Sequence, residues 1–394
     1  AQWRYKKAVL ATLALGIIVT LTAITYSQLG YWKNNFTIFK HTLDVTDESD
    51  IVHNKVFFAE IYFNLANILK DKGMFDDAIG HYTEALRINE NHAGAHVNRG
   101  IILAQLGKED DAMADFKDAI VVEPDNADAH ANLGNILRNR GKVDEAIRHY
   151  TEALRADPDN ADAHFNLGVA LQYNRGNLDE AVIHYTAALR IQSDFVQAHD
   201  NLGAILFKQG KIDEAIDHFR DAIAIDPNYS NARNNLERAL AYKEKSDKAI
   251  AQLEGAVEQN PKDPALHHNR LGSLYQARGM LDKAVEHYRE ALSIRPGFIQ
   301  ALNNLSLVYM KQGDYEGALS SLERILEMNP DSVAAHYNMA CLYAKQNRNE
   351  EALTWLNKAI ALGFNDWELL RTDSDLINIR ETPGYQELLM RKKK

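Results

Sequence analysis

Hydrophobic residues recur at helical spacing in two neighbouring stretches of the segment 127–160. The apolar positions of the first stretch are Ala129, Leu133, Ile136 and Leu137, and those of the second are Ala146, Ile147, Tyr150, Ala153 and Leu154. Intervals of three and four residues place such side chains on one face of an α-helix, so the segment predicts two amphipathic helices. Gly141 separates them and can adopt the left-handed conformation that ends a helix at little steric cost.

The same pattern returns along most of the chain with a period of 34 residues, and residues 127–160 are one such repeat. Such a period is typical of stacked repeats, because one helical hairpin cannot cover its own apolar face. The sequence therefore predicts an all-α solenoid over residues 59–366, a right-handed superhelix with first helices inside and second helices outside. About nine helix-turn-helix units are expected, beginning near Ala59, Ala93, Ala127, Ala161, Val196, Ser230, Ala265, Ile299 and Val333.

Small residues mark the places where the two helices of a unit must come close. In the segment 127–160 they are Gly134, Ala146 and Ala153, at repeat positions 8, 20 and 27. A larger side chain at such a joint would cost about 1–3 kcal/mol by overpacking. With a glycine at position 15 and a proline at position 32, the unit is identified as a tetratricopeptide (TPR) repeat.

Three units depart from the pattern. In the sixth, Glu237 occupies the small position 8 and residues 244–246 replace the turn glycine, so the stack is expected to be loosest there. The fourth unit has one extra residue within 172–176. In the ninth, Asn347 stands for the turn glycine, and asparagine can also adopt the left-handed conformation.

Both ends of the array are predicted to be capped. Residues 31–58 predict an N-terminal capping helix and a bridge, and residues 367–394 predict a C-terminal capping helix, a turn near Pro383 and Gly384, and a tail. The apolar face of the N-terminal cap consists of Phe36, Phe39, Leu43 and Val45.

Residues 1–30 predict a membrane anchor, the last or only transmembrane helix. The 19 residues from Ala8 to Tyr26 carry no charge and would reach about 28 Å as a helix, close to the thickness of a bilayer's hydrocarbon core. Basic residues precede them, which predicts that the repeats lie on the non-cytoplasmic side, periplasmic or lumenal. A cleaved signal peptide is the alternative. Because the chain lacks an initiator methionine, we expect it to be a piece of a longer polypeptide.

Composition narrows the possible functions. With 46% hydrophobic and 25% charged residues, the 394-residue chain is expected to be globular. A formal net charge of -11 argues against nucleic-acid binding. The single cysteine, Cys341, excludes an internal disulfide framework and is expected to serve packing.

No constellation of residues in this chain predicts catalysis, so enzymatic activity is left open and no cofactor is expected. The 15 histidines are largely periodic, at repeat positions 4 and 23, which favours a packing role over metal binding, and no metal site is predicted. Asp373 and Asp375 imitate the Asp-x-Asp motif of some glycosyltransferases, but a helix cap is favoured. The periodic histidines are His96, His130, His164, His199, His268 and His336 at position 4, and His81, His149, His184, His218 and His287 at position 23.

A column of asparagines at repeat position 6 is the candidate binding site. An asparagine amide offers both a donor and an acceptor, which match the C=O and N–H groups of an extended peptide. The alternative, that these residues only bond helix to helix, stays open. The predicted peptide-binding residues are Asn64, Asn98, Asn132, Asn166, Asn201, Asn235, Asn304 and Asn338, interrupted by Arg270.

The units resemble the TPR superhelix of O-GlcNAc transferase, whose inner asparagine ladder holds substrate peptides. The ends resemble the TPR tails of bacterial relatives of membrane O-mannosyltransferases. The resemblance implies either a membrane-anchored protein-protein interaction scaffold that binds an extended peptide or protein segment, or the substrate-docking C-terminal region of a membrane glycosyltransferase whose catalytic part lies outside this chain. A recruiter of chaperone tails is disfavoured, because position 5 carries no lysine.

Overall fold

Helices make up every regular element in the part of the chain that the structure describes. The computed structural model describes residues 35–45, 54–175, 177–259 and 262–390. The chain divides into two compact units, Ala1–Asn166 and Leu167–Lys394.

The first unit contains a capping helix followed by helical hairpins. Phe36, Phe39 and Leu43 of the capping helix pack against the core of the first hairpin, around Leu65 and Leu69. The helices are α1 Asn35–Val45, α2 Lys55–Asp71, α3 Phe75–Ile88, α4 Ala93–Gln105, α5 Glu109–Val122, α6 Ala127–Asn139 and α7 Val143–Ala156, and α8 Ala161–Ala170 begins in this unit.

The second unit continues with the same kind of hairpin and closes with short helices. A π-helical turn, Leu171–Arg175, follows α8 at the place of the extra residue in the fourth repeat. The further helices are α9 Leu178–Ile191, α10 Val196–Lys208, α11 Ile212–Ile225, α12 Ser230–Glu258, α13 Pro264–Ala277, α14 Leu281–Ile294, α15 Ile299–Gln312, α16 Tyr315–Met328, α17 Val333–Lys345, α18 Asn349–Ala361, α19 Trp367–Thr372 and α20 Pro383–Met390.

In five of the hairpins a glycine on the first helix packs against an aromatic ring on the second helix. A Cβ atom added to Gly134 would lie 2.7 Å from Cε1 of Tyr150. Tyr150 is fully buried, and its hydroxyl donates a hydrogen bond to Oδ1 of Asn135 (2.8 Å). Ala146 and Ala153 are fully buried beside it, which confirms the predicted close approach. The same pairs recur as Gly100 with Phe116, Gly168 with Tyr185, Gly203 with Phe219 and Gly272 with Tyr288.

The turns inside the hairpins use left-handed backbone where the sequence predicts it. Gly141 has a φ of 75°, and Asn347 has a φ of 60° and is the one non-glycine residue with positive φ among the described residues. Asparagine therefore replaces the turn glycine of the ninth repeat without changing the hairpin.

The sixth repeat is not a hairpin, which corrects the expected count of nine. Residues 230–258 form the single 29-residue helix α12, and eight helical hairpins remain in the described part of the chain. Residues 244–246 offer no glycine at the turn position, and the Glu244–Lys248 pair (2.6 Å) supports a continuous helix across it. In α12 the buried residues number only four: Ala232, Ala239, Ser246 and Ile250. The sparse packing agrees with the expected loosening of the stack.

The turns of the hairpins before and after α12 touch each other directly. A Cβ atom on Gly210 would lie 2.5 Å from the carbonyl oxygen of Ala277, and the φ of Gly210 is 85°. Arg278, whose side chain is 5% exposed, donates a hydrogen bond to Oγ of Ser246 (3.0 Å) and forms an ion pair with Asp247. Arg278 therefore fastens α12 to the hairpin that follows it.

The C-terminal cap packs on the last hairpin. The hydroxyl of Tyr337 on α17 donates a hydrogen bond to Asp373 (2.5 Å), and Lys345 pairs with Asp375 (2.8 Å). The Asp373 side chain accepts a hydrogen bond from the backbone N–H of Asp375 at the start of a 3₁₀ helix, Ser374–Ile379, which confirms the predicted capping role. A turn at residues 380–382 precedes α20, which Pro383 begins, because proline fits the first turn of a helix.

No helix in the described ranges is long and apolar enough to cross a membrane. The predicted span, residues 8–26, lies outside those ranges, and so does most of the predicted bridge before α2.

Candidate functional site

The asparagines at repeat position 6 are all half-buried, seven of them on first helices of hairpins and Asn235 on the single helix α12. In the first unit these are Asn64 on α2, Asn98 on α4, Asn132 on α6 and Asn166 on α8; in the second they are Asn201 on α10, Asn235 on α12, Asn304 on α15 and Asn338 on α17.

In the first unit the column links one first helix to the next. The Nδ2 atom of Asn98 donates to Oδ1 of Asn67 on α2 (2.9 Å), and its Oδ1 accepts from Nζ of Lys70 (3.4 Å). The Oδ1 atom of Asn166 accepts from Arg138 on α6 (3.2 Å). Part of the column therefore does bond helix to helix.

In the second unit Asn235, Asn304 and Asn338 donate to the preceding first helix, whereas Asn201 donates to a second helix, α9. The acceptors are Tyr185 Oη for Asn201 (3.2 Å), Asp200 Oδ1 for Asn235 (2.8 Å), Asn269 Oδ1 for Asn304 (3.3 Å) and Asn303 Oδ1 for Asn338 (2.8 Å). Burial raises the pKa of Asp200, and the hydrogen bond from Asn235 opposes this rise. The sequence analysis did not foresee these partners, most of which stand at position 5.

Asn64 and Asn132 differ from the other six. Their Nδ2 atoms donate to backbone carbonyls of their own helices, Glu60 O (2.8 Å) and Asp128 O (2.9 Å). An asparagine amide has two N–H donors and an oxygen with two lone pairs, so one local bond leaves most of this capacity for a ligand. These two residues are the ones whose amides are least committed to the fold.

A surface cavity of about 390 Å³ accompanies the column in the second unit. Asn304 lines it together with the position-5 residues Asn269 and Asn303 and the apolar Ile299 and Ile325. Amide groups beside apolar side chains suit an extended peptide, whose backbone needs polar partners and whose side chains need packing.

In several hairpins the histidine at position 4 faces the histidine at position 23. Nδ1 atoms of position 4 and position 23 lie 2.9 Å apart in His130–His149 and 3.1 Å apart in His268–His287. Burial and the neighbouring His130 lower the pKa of His149. The two columns were visible in the sequence, 19 residues apart, but their contact depends on how the two helices are rotated against each other.

In the second repeat an aspartate replaces the second histidine. Asp115 is buried and accepts hydrogen bonds from Nδ1 of His96 (3.0 Å) and from Nε and Nη2 of Arg99 (2.8 and 2.6 Å). Burial raises the pKa of this carboxyl, but the bonds from Arg99 and His96 outweigh it, so the pKa lies below its usual value. This cluster is a paired, satisfied part of the core.

Cys341 is buried on α17, and burial raises the pKa of its thiol, as do Asp373 and Asp375. A thiol with a raised pKa is a poor nucleophile, so its surroundings fit the packing role that the sequence predicts.

Comparison with solved structures finds TPR proteins that align with parts of this chain. YrrB, described as "a TPR protein with an unusual peptide-binding site", is 25% identical over 47% of this chain and 95% of its own, with a TM-score of 0.39. MamA from Desulfovibrio magneticus RS-1 is 21% identical over 45% of this chain and 97% of its own, with a TM-score of 0.39. A TPR protein from Parabacteroides merdae is 18% identical over 73% of this chain and 98% of its own, with a TM-score of 0.33.

Among curated proteins no sequence shows a significant match to this chain. None of these findings shows the resemblance to O-GlcNAc transferase or to the tails of O-mannosyltransferases. Family models described as "TPR repeat" match residues 102–139, 134–174, 171–210 and 272–313, and models described as "Tetratricopeptide repeat" match 59–92, 206–271 and 309–372. The chain therefore belongs to the tetratricopeptide repeat family.

Proposed function

We propose that this TPR scaffold binds an extended peptide or protein segment along its first helices, chiefly through the backbone of the ligand. The observation that carries the proposal is the uncommitted amide capacity of Asn64 and Asn132, whose hydrogen bonds run only to Glu60 and Asp128 of their own helices among the described residues. The residues at position 9 vary between repeats, for example Asn135, so the column can offer a backbone register without one side-chain code.

The test uses unstructured peptides selected by display against the full 394-residue chain, followed by titration of the best binder. The double variant Asn64→Ala with Asn132→Ala removes two ligand bonds at about 0.5–1.5 kcal/mol each and should weaken binding by about 1–3 kcal/mol, or roughly 5–150-fold in Kd. Because neither side chain bonds to a neighbouring helix, the variant should keep its helical content.

The matched control is Asn357→Ala on α18. The Nδ2 atom of Asn357 bonds to the carbonyl of Leu353 (2.9 Å), the same local bond as in Asn64, but on a second helix. This variant should bind like the wild type. A second arm methylates the backbone nitrogens of the peptide one at a time, which should cost affinity at several positions. Equal affinity of the double variant, or indifference to methylation, would mean that the asparagines serve only the fold.

We also propose, from the sequence of residues 8–26, that the repeats are membrane-anchored and lie on the non-cytoplasmic side. A reporter that is active only in the cytoplasm, fused after Lys394, should stay inactive. The docking region of a membrane glycosyltransferase remains the alternative proposal. DNA upstream of the first codon that encodes further membrane spans would favour it.

A further inference from the structure

The fifth repeat brings three metal-ligating side chains to one point. His199 extends from α10, and His218 and Asp221 extend from α11 three residues apart, on one face of that helix. One ligand atom from each lies within 4.8 Å of the others. We propose that His199, His218 and Asp221 bind a divalent first-row transition-metal ion, with Zn²⁺ as the fitting case.

The spacing of the ligand atoms suits a tetrahedral ion. Nδ1 of His199 lies 3.0 Å from Nδ1 of His218 and 3.8 Å from Oδ2 of Asp221. Zinc–nitrogen bonds of about 2.0–2.1 Å at tetrahedral angles place two nitrogen ligands roughly 3.3 Å apart. A shift of a few tenths of an ångström between the two rings therefore admits the ion.

The backbone presets the tautomer of His199 that a metal needs. Its Nε2 lies 3.1 Å from the carbonyl oxygen of Ser193, an acceptor, so Nε2 carries the proton and Nδ1 presents a lone pair. His218 then donates its Nδ1 proton to that lone pair. On binding, His218 changes tautomer through solvent, so that Nε2 carries its proton and the Nδ1 lone pair faces the ion. The carbonyl of Ser193 keeps His199 oriented, as outer partners of metal-bound histidines do.

The site is open to solvent on one side. It lies in a surface cavity of about 570 Å³ that Thr186, Arg190 and Ser193 also line. The side chain of His199 is 11% exposed, whereas that of Asp221 is 59% exposed. Two imidazoles and one carboxylate leave a fourth position for water or a ligand atom. Arg190 adds a positive charge to the same cavity, which tempers the affinity for a cation.

Within the described ranges, the other histidine pairs lack this third ligand. In the third repeat Glu152 stands at the position of Asp221, but it pairs with Arg155 (2.6 Å). In the second repeat His96, Asp115 and Asp118 are also close, but the Arg99 guanidinium already binds both oxygens of Asp115. The fifth repeat thus combines two facing imidazoles with a carboxylate that is not held by an arginine of its own helix turn.

The test is calorimetric titration of the full 394-residue chain with ZnCl₂ in a buffer that does not bind metals. We expect one site tighter than the background of surface carboxylates. His218→Gln should weaken it by about 100-fold or more, since even the loss of an outer partner costs about 10–100-fold. Asp221→Asn should weaken it by at least about 10-fold, and because Asp221 is largely exposed, this variant should fold normally.

Two controls separate the site from general effects. Asp217→Asn removes the same charge one turn earlier on α11, where Asp217 pairs with Arg220 (3.4 Å), and His130→Gln removes one histidine of the two-ligand pair in the third repeat. Both should keep the tight site. The proposal would be overturned if Asp221→Asn bound Zn²⁺ as tightly as the wild type does. It would also be overturned if the wild type bound Zn²⁺ no more tightly than the double variant His218→Gln with Asp221→Asn.

Discussion

The contact between Gly134 and Tyr150 allows the close approach of two helices to be measured as a free energy. Gly134→Ala would place a Cβ atom 2.7 Å from Cε1 of Tyr150, roughly 0.7 Å inside ordinary contact. Overpacking costs about 1–3 kcal/mol, and the higher helix propensity of alanine returns about 0.8–1.0 kcal/mol. The net change in the free energy of unfolding should be a loss of about 0–2 kcal/mol.

Gly80 on α3 provides the control that isolates the contact. It is exposed, and a Cβ atom added there would meet nothing within 4 Å. Gly80→Ala should therefore stabilise the protein by about 0.8–1.0 kcal/mol. The difference between the two variants, about 1–3 kcal/mol, is the cost of the clash.

Urea unfolding followed by circular dichroism gives the total effect. Hydrogen exchange of the amides in α6 and α7 localises it, because repeat arrays can open segment by segment. If Gly134→Ala proved as stabilising as Gly80→Ala, the two helices would not need a glycine at their joint, and the argument from repeat position 8 would fail.

Three further predictions follow from charges and helix continuity. Because the pKa of Asp115 is lowered in the folded protein, the ionised carboxylate stabilises the fold above about pH 4, and this stabilisation is lost as the pH falls through the folded pKa. The free energy of unfolding of Asp115→Asn should therefore decrease less at acidic pH than that of the wild type. The pKa of His149 lies below 6.5 in the folded protein, so its contribution to the free energy of unfolding is complete above pH 6.5 and decreases as the pH falls below 6.5. His149→Gln should therefore reduce the drop in Tm between about pH 7 and 5. Glu244→Pro should cost about 3 kcal/mol or more in urea unfolding if α12 is continuous, and little if a turn lies there.

Much of the fold could be predicted from the sequence, because a hairpin needs only its own 34 residues to be recognised. The close joint at Gly134 and the left-handed turn at Asn347 both followed from residue type and position. The sixth repeat did not, since residues 244–246 were interpreted as a looser turn, whereas good helix formers without a breaker continue the helix.

The candidate site was only half predictable. Asn98 was expected at the shared face of the first helices and lies there, but its bond to Asn67 depends on the register between two hairpins, which no single repeat encodes. The pairing of His199 with His218 depends in the same way on the rotation of α10 against α11. Side-chain partners between helices therefore have to be seen in the structure.

The helix α12 has a consequence for how the second unit unfolds. In a repeat array each hairpin is stabilised by packing on its neighbours. An element with few buried residues packs weakly, so it limits how far unfolding on one side is coupled to unfolding on the other. The direct contact of Gly210 with Ala277 couples the two hairpins in spite of this weak packing, because it joins hairpins that α12 separates in the chain. Whether hairpins on the two sides of α12 melt together then depends on a few atoms at one turn, in addition to the bonds by which Arg278 holds α12 to the second of them.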